Sequence, residues 1–188
     1  MKVIQVIMLF FPLIIFGQSE EVDYYYENGT IKEKVNYKDE KQHGLRIGFY
    51  ENGNKKHEIN YSYNKQDGLA RFYYENGNLQ ELSSWKNNLQ NGVTKYYYQT
   101  GKLKQKTNWK YGELYGLDRW YYENGELEMI SNYINNQEDG ETRFYYENGQ
   151  LKIVSIFKNG KPNGLAKKYN EKGQLVWQKK YRDGKEIK

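Results

Sequence analysis

The stretch Tyr73-Tyr74-Glu75-Asn76-Gly77 recurs with variations along the sequence. Its glycine recurs with it, at Gly29, Gly53, Gly77, Gly101, Gly125, Gly149 and Gly173. Every interval is 24 residues, and a fixed period of this size marks a repeat protein. In one copy, Gly68 to Tyr74 is a run of strand formers and Glu75-Asn76-Gly77-Asn78 has turn composition. Leu79 to Trp85 is a second strand-forming run, and Lys86 to Asn91 connects to the next copy. Asn-Gly between two such runs predicts a hairpin with a two-residue type I′ turn.

That turn fixes a register. Tyr74 faces Leu79, Phe72 faces Glu81, Ala70 faces Ser83 and Gly68 faces Trp85. A three-residue Glu-Asn-Gly loop with a bulge is the rival, and it brings Tyr73 beside Leu79 instead; the Asn-Gly preference favours the two-residue turn. Thr100-Gly101 and Lys172-Gly173 lack the asparagine and are expected to turn differently. The position of Trp85 is aromatic in every copy: Tyr37, Tyr61, Trp85, Trp109, Tyr133, Phe157 and Tyr181. It faces Gly44, Gly68, Gly92, Gly116, Gly140 or Gly164, and the aromatic ring is expected to cover the bare glycine.

The totals agree with a thin β structure. There are 21 Tyr, 7 Phe and 4 Trp, so aromatics that suit a half-buried pleated surface are plentiful. The hydrophobic share of 37% and the mean hydropathy of −1.08 are too low for a large globular core. Disordered chains share such polarity but are poor in aromatics. The expected fold class is all-β: an elongated, single-layer antiparallel meander of about seven stacked 24-residue β-hairpin repeats, with two strands per repeat and about 13–14 strands in all. The first copy has a short upstream strand, and the last ends at Asp183-Gly184-Lys185 with no hairpin after it; both read as caps.

The first 17 residues differ from the rest. Lys2 is followed by a largely apolar run from Val3 to Phe16, then by the small Gly17 and the polar Gln18-Ser19-Glu20. This has the form of a secretory signal peptide over 1–17, with cleavage after Gly17. The run is short for a membrane span, and an uncleaved anchor or a buried strand is the alternative. Residues 18–188 then form the repeat domain. The expected location is exported, periplasmic or at the cell surface. The ending Phe16-Gly17-Gln18 is similar to export signals of Bacteroidota-type bacteria.

Tyr-Tyr-Glu-Asn-Gly-x-Leu followed by Tyr-Lys-x-Gly-Lys-x-x-Gly resembles the bacterial variant of the MORN repeat, and Phe157 to Gly164 is the closest copy of its second half. Proteins built of this variant carry the label of YwqK-family antitoxins. The resemblance covers about residues 24–187. It implies a single-layer sheet of stacked hairpins that serves as a scaffold, a membrane-proximal module or a partner-binding platform.

Catalytic chemistry finds little support. The absence of cysteine excludes disulfides, thiolate zinc sites and a thiol nucleophile. His43 and His57, the two histidines, fall at different repeat positions and read as a turn residue and a strand-face residue. The turn glutamates Glu27, Glu51, Glu75, Glu123, Glu147 and Glu171 sit one repeat apart, about 10 Å, too far for paired acid–base work. No catalytic residue, metal site or cofactor is expected, and the chain reads as a non-enzyme.

One ladder suggests binding. Arg71, Lys95, Arg119, Arg143 and Lys167 occupy equivalent positions, and Tyr73, Tyr97, Tyr121, Tyr145 and Tyr169 follow two residues later on the same face. A basic row beside a tyrosine row suits an anionic lipid, an acidic glycan or an acidic protein surface. Export argues against nucleic acid. The leading expectation is a protein partner, in an envelope or outer-membrane complex. A lipid or glycan surface is the alternative, and an antitoxin-like inhibitor of an exported toxin is the third reading.

Overall fold

The computed structural model describes Gly17 and residues 19–188, so the signal-peptide segment lies outside the described residues apart from Gly17. Among the described residues there is no helix. The chain divides into two compact units, one ending at Leu89 and the other spanning Gln90–Lys188.

The first unit holds β1 (Ser19–Tyr25), β2 (Ile31–Lys38), β3 (Lys41–Phe49), β4 (Lys55–Ser62), β5 (Lys65–Tyr73) and β6 (Leu79–Lys86). Each pairs antiparallel with the next in chain order. A two-residue segment, β7 (Leu89–Gln90), lies at the division. The second unit holds β8 (Gly92–Tyr97), β9 (Leu103–Lys110), β10 (Glu113–Leu114), β11 (Gly116–Tyr121), β12 (Leu127–Ile134), β13 (Gln137–Glu138), β14 (Gly140–Tyr145), β15 (Leu151–Lys158), β16 (Lys161–Pro162), β17 (Gly164–Tyr169), β18 (Leu175–Arg182) and β19 (Lys185–Ile187). Its strands also pair antiparallel in order. The all-β meander of hairpin repeats expected from the sequence is therefore present. The strand count exceeds 13–14 because short segments such as β10 and β13 are split from the strand that follows by a bulge, where Tyr115 N–H donates to the Asn108 carbonyl at 3.0 Å and Asp139 N–H to the Asn132 carbonyl at 2.9 Å.

The turn at the tips differs from the expected one. At the Asn-Gly tips the rival register is the one observed: Tyr73, not Tyr74, pairs with Leu79, after a register shift between Phe72 and Tyr73. Gly77 N–H donates to the Tyr74 carbonyl at 2.9 Å, and Tyr74 N–H to the Asn78 carbonyl at 2.8 Å. Gly77 has φ +87°, whereas Asn76 has no positive φ. This is a three-residue loop with a bulge. The tips at Gly101 and Gly173 use the same turn, with Gly101 N–H to the Tyr98 carbonyl at 2.8 Å and Gly173 N–H to the Asn170 carbonyl at 2.9 Å. The left-handed residue is the glycine alone, so Thr100 and Lys172 are accommodated before it.

The two-residue turns lie at the connections instead. Tyr63 and Asn64 both have positive φ, at 46° and 67°, with Ser62 paired to Lys65 on either side. Tyr111-Gly112 repeats the arrangement between Lys110 and Glu113. The final Asp183-Gly184 does so too, and its chain returns as β19 on β18, so the last copy has the start of a further hairpin. At the other end β1 is seven residues long, not short.

Every predicted aromatic–glycine pair is present, from Gly44 with Tyr61 to Gly164 with Tyr181. The reason for glycine differs from the expected one. Gly68 has φ +110°, and the atom nearest the place a Cβ would take is the Asn60 Cβ at 3.2 Å, not the Trp85 ring. A left-handed bulge, not an aromatic cover, demands the glycine there.

Bonds between copies fasten both margins of each unit. At the tips, Tyr50 Oη donates to the Tyr73 carbonyl at 2.7 Å, Tyr98 Oη to the Tyr121 carbonyl at 2.7 Å and Tyr122 Oη to the Tyr145 carbonyl at 2.8 Å. At the other margin, Asn64 N–H donates to the Gln42 carbonyl at 2.9 Å, and Gly160 N–H to the Glu138 carbonyl at 2.9 Å. Among the described residues each unit buries a central row: Val35, Ile59, Ala70 and Ser83 in the first, and Thr94, Thr107, Asp118, Ser131, Thr142 and Ala166 in the second. Small side chains fit this row because the longer side chains two residues away on each strand lean over it.

Candidate binding surface

The predicted ladder is divided between the units. In the first, Arg71 pairs opposite Glu58 and Leu82. Tyr73 Oη donates to Glu58 Oε2 at 2.7 Å, and Lys55 Nζ reaches Glu58 Oε1 at 2.5 Å. Burial, with the Glu58 bond and charge adding to it, pushes the Tyr73 phenol up to about 12. Burial would raise Glu58, but the bonds from Lys55 and Tyr73 hold it below the usual carboxylate range. Arg71 and Tyr73 thus belong to a charge-balanced cluster.

In the second unit the register places Lys95 opposite Lys106, Lys106 opposite Arg119, and Arg119 opposite Ile130. The row continues through Arg143, Val154 and Lys167. Lys106 is the member that sequence reading missed. It lies on the returning strand, and only the cross-strand pairing brings it between Lys95 and Arg119. Arg143 is ion-paired with Glu141 at 2.5 Å, whereas Lys95, Lys106 and Arg119 have no ion pair among the described residues. Tyr121 and Tyr145 lend their carbonyls to the tip bonds, and those bonds are donated by the tyrosine that follows each first tyrosine, Tyr98 and Tyr122. Burial raises the phenols of Tyr98 and Tyr122, with Glu128 contributing in the same direction.

The opposite face was not singled out in the sequence. In the first unit Arg46 Nη2 donates to both Glu33 oxygens at 2.8 Å, and His57 Nε2 lies 3.6 Å from Glu33 Oε1. His57 is therefore more than a plain strand-face residue. Burial holds it below its ordinary value, opposed by Glu33 and assisted by Arg46 and Lys56. In the second unit, pairs of opposite residues form a continuous lane: Tyr96 with Gln105, Gln105 with Trp120, Trp120 with Met129, Met129 with Phe144, and Phe144 with Ile153. Beside it Asp118 occupies the buried row that holds Ala70, Thr94, Thr142 and Ala166 elsewhere. Its Oδ1 accepts from Gln105 Nε2 at 2.9 Å and its Oδ2 from Trp120 Nε1 at 2.7 Å. A recess of about 360 Å³ opens over these residues. The one sequence signal for it was a charged residue at a position where four other copies have Ala70, Thr94, Thr142 and Ala166, Arg46 being the other charged member. Among the described residues no group of three or more His, Asp and Glu side chains is arranged to hold a metal ion.

Two-stranded copies at a fixed period, fastened to their neighbours at both margins, define the molecule as a β-hairpin repeat protein. The model of the MORN repeat variant matches residues 22–39, 42–63, 66–87, 90–111, 114–135 and 138–159, so the chain belongs to that family. The seventh hairpin, β17–β18, lies outside the matched segments. No curated protein matches the sequence. Among solved structures, one described as "Crystal structure of GtfA/B complex bound to UDP and GlcNAc" is similar over 80% of this chain and 25% of that one, at 11% identity and a TM-score of 0.27. This chain thus spans about a quarter of that one, and a likeness at this level carries no argument about fold or function.

Proposed function

We propose that the chain is an exported, non-enzymatic scaffold that docks a protein partner in a complex of the cell envelope or surface. Repeats of this family are often involved in protein or membrane binding, which fits a repeat scaffold. The observation that carries the choice of a protein partner is the lane of Trp120, Met129 and Phe144 beside the recess of the second unit. Aromatic and methionine side chains are enriched where proteins meet. The signal-peptide form of residues 1–17, with cleavage after Gly17, supports export to the periplasm or cell surface. A bacterial origin and kinship with the YwqK-type proteins belong to the same reading. The test is co-purification of the tagged full chain from envelope fractions, followed by mass spectrometry, with Phe144→Asp as the comparison. A partner captured by the unaltered chain and lost with Phe144→Asp supports the reading. A partner retained equally by both overturns it.

A second reading is favoured by the contiguous cations Lys95, Lys106 and Arg119 on the other face. Three neighbouring positive side chains without acidic partners suit an anionic lipid or glycan surface.

A further inference from the structure

We propose that the recess around Asp118 receives a primary ammonium or guanidinium group, the side chain of a lysine or arginine on the protein partner. This rests on reading that face as the docking surface, and it names the chemistry of the contact. Asp118 is 4% exposed, and both of its oxygens accept from neutral donors, Gln105 and Trp120. Among the described residues no cation pairs with it. A buried carboxylate is costly without a counter-charge, so a cation arriving from outside gains where it would gain little at an exposed site. Packing does not ask for an acid here, since alanine and threonine fill the same row in other copies.

Trp120, Tyr133 and Phe144 present rings, and Met129 a thioether, around the same recess. Ring faces attract ammonium and guanidinium groups, and a thioether packs well on an alkyl stem. A volume of about 360 Å³ accommodates one long side chain better than a larger ligand.

Carboxylates set the sign of the local field. Glu138 is pinned beside Tyr133, opposite it in the register, and accepts from Ser131 Oγ at 2.8 Å and Thr142 Oγ1 at 3.1 Å. Burial raises the Tyr133 phenol, and the charges of Glu138 and Asp118 raise it further. The ring thus feels the charge of two carboxylates, on a chain whose formal net charge is +5. The other face of the same unit carries Lys95, Lys106 and Arg119, so a cationic group is drawn to this face and repelled from that one.

The experiment titrates the full chain with the peptide acetyl-Gly-Lys-Gly-amide and with its neutral isostere, in which norleucine replaces lysine. The readout is the NMR resonance of the Trp120 indole N–H, the donor to Asp118. The lysine peptide is expected to shift that resonance saturably, and the norleucine peptide to bind on the order of tenfold more weakly or worse. Asp118→Asn, which keeps the shape and the acceptor facing Trp120, is expected to weaken the lysine peptide by a similar factor. Equal response to both peptides, no response to either, or unchanged binding in a folded Asp118→Asn overturns the proposal. If that variant does not fold, the two peptides on the unaltered chain decide. Partner capture that depends on Phe144, together with silent peptides, leaves the docking face standing and removes only the basic side chain.

Discussion

The imidazole of His57 occupies the space that a Cβ at Gly48 would need. The two residues face each other across β3 and β4, and Gly48 has an ordinary negative φ, so the glycine is there to make room and not to turn the chain. Gly48→Ala should therefore force the ring off Glu33 and cost about 1–3 kcal/mol of stability, the range for overpacking a close contact. Urea unfolding measures this, and pairing the change with His57→Ala should recover most of the loss.

His57 also gives the first unit a pH dependence of definite sign. Its folded value is depressed, chiefly by burial, so the unfolded chain binds the proton that the folded chain refuses. The contribution is full above about pH 6.5 and is lost as pH falls through that value toward the folded one. His57→Gln should flatten the fall in melting temperature over that window, leaving only the slope from carboxylates. An unchanged slope would show that the imidazole is not held neutral.

The tip glycine, not the asparagine before it, carries the turn. Gly125→Ala places a side chain at φ +98° and should cost about 1–2 kcal/mol. Asn124→Thr copies the natural Thr100 and should cost less, the losses being the bond from Glu126 N–H to Asn124 Oδ1 at 2.8 Å and the one from Asn124 Nδ2 to the Glu147 carbonyl at 2.9 Å. Thermal unfolding of the two variants side by side gives the order.

Removing one tip bond should be felt as a single hydrogen bond. Tyr122→Phe leaves the ring and deletes the donor to the Tyr145 carbonyl, for a loss of about 1 kcal/mol. Hydrogen exchange should show amides around Tyr145 opening more readily, with those of β18 unaffected.

If the basic row meets an anionic surface, Lys106→Glu should reduce binding to vesicles containing phosphatidylserine several-fold, and added salt should weaken what remains. Binding that ignores both changes would dismiss the electrostatic version. It would leave the aromatic face as the surface to pursue.

The repeat, the antiparallel pairing and the aromatic–glycine register were all legible in the sequence, because period 24 and alternation at period 2 leave few arrangements. The turn types were not. Asn-Gly favours the two-residue turn locally, but with the tip bulge Tyr50 and Tyr122 reach carbonyls in the following copy, and that bond lies outside any local window. Lys106 and the Glu33–Arg46–His57 cluster were hidden for a related reason. Their members come from neighbouring strands and meet only once the register is fixed. Asp118 was visible as a departure from its row, yet its meaning depended on knowing that the row is buried.

The tip bond joins Tyr122 to a residue 23 places further on, and Tyr98 is joined to its own acceptor by the same offset. Such a spacing acts as a ruler. Inserting or deleting one whole copy within the second unit would leave each hydroxyl with a carbonyl to meet, whereas losing a single residue between two tips would set every later bond in that copy out of phase. Length is thus free to vary in quanta, and a molecule of this kind can be extended without redesigning any of its joints.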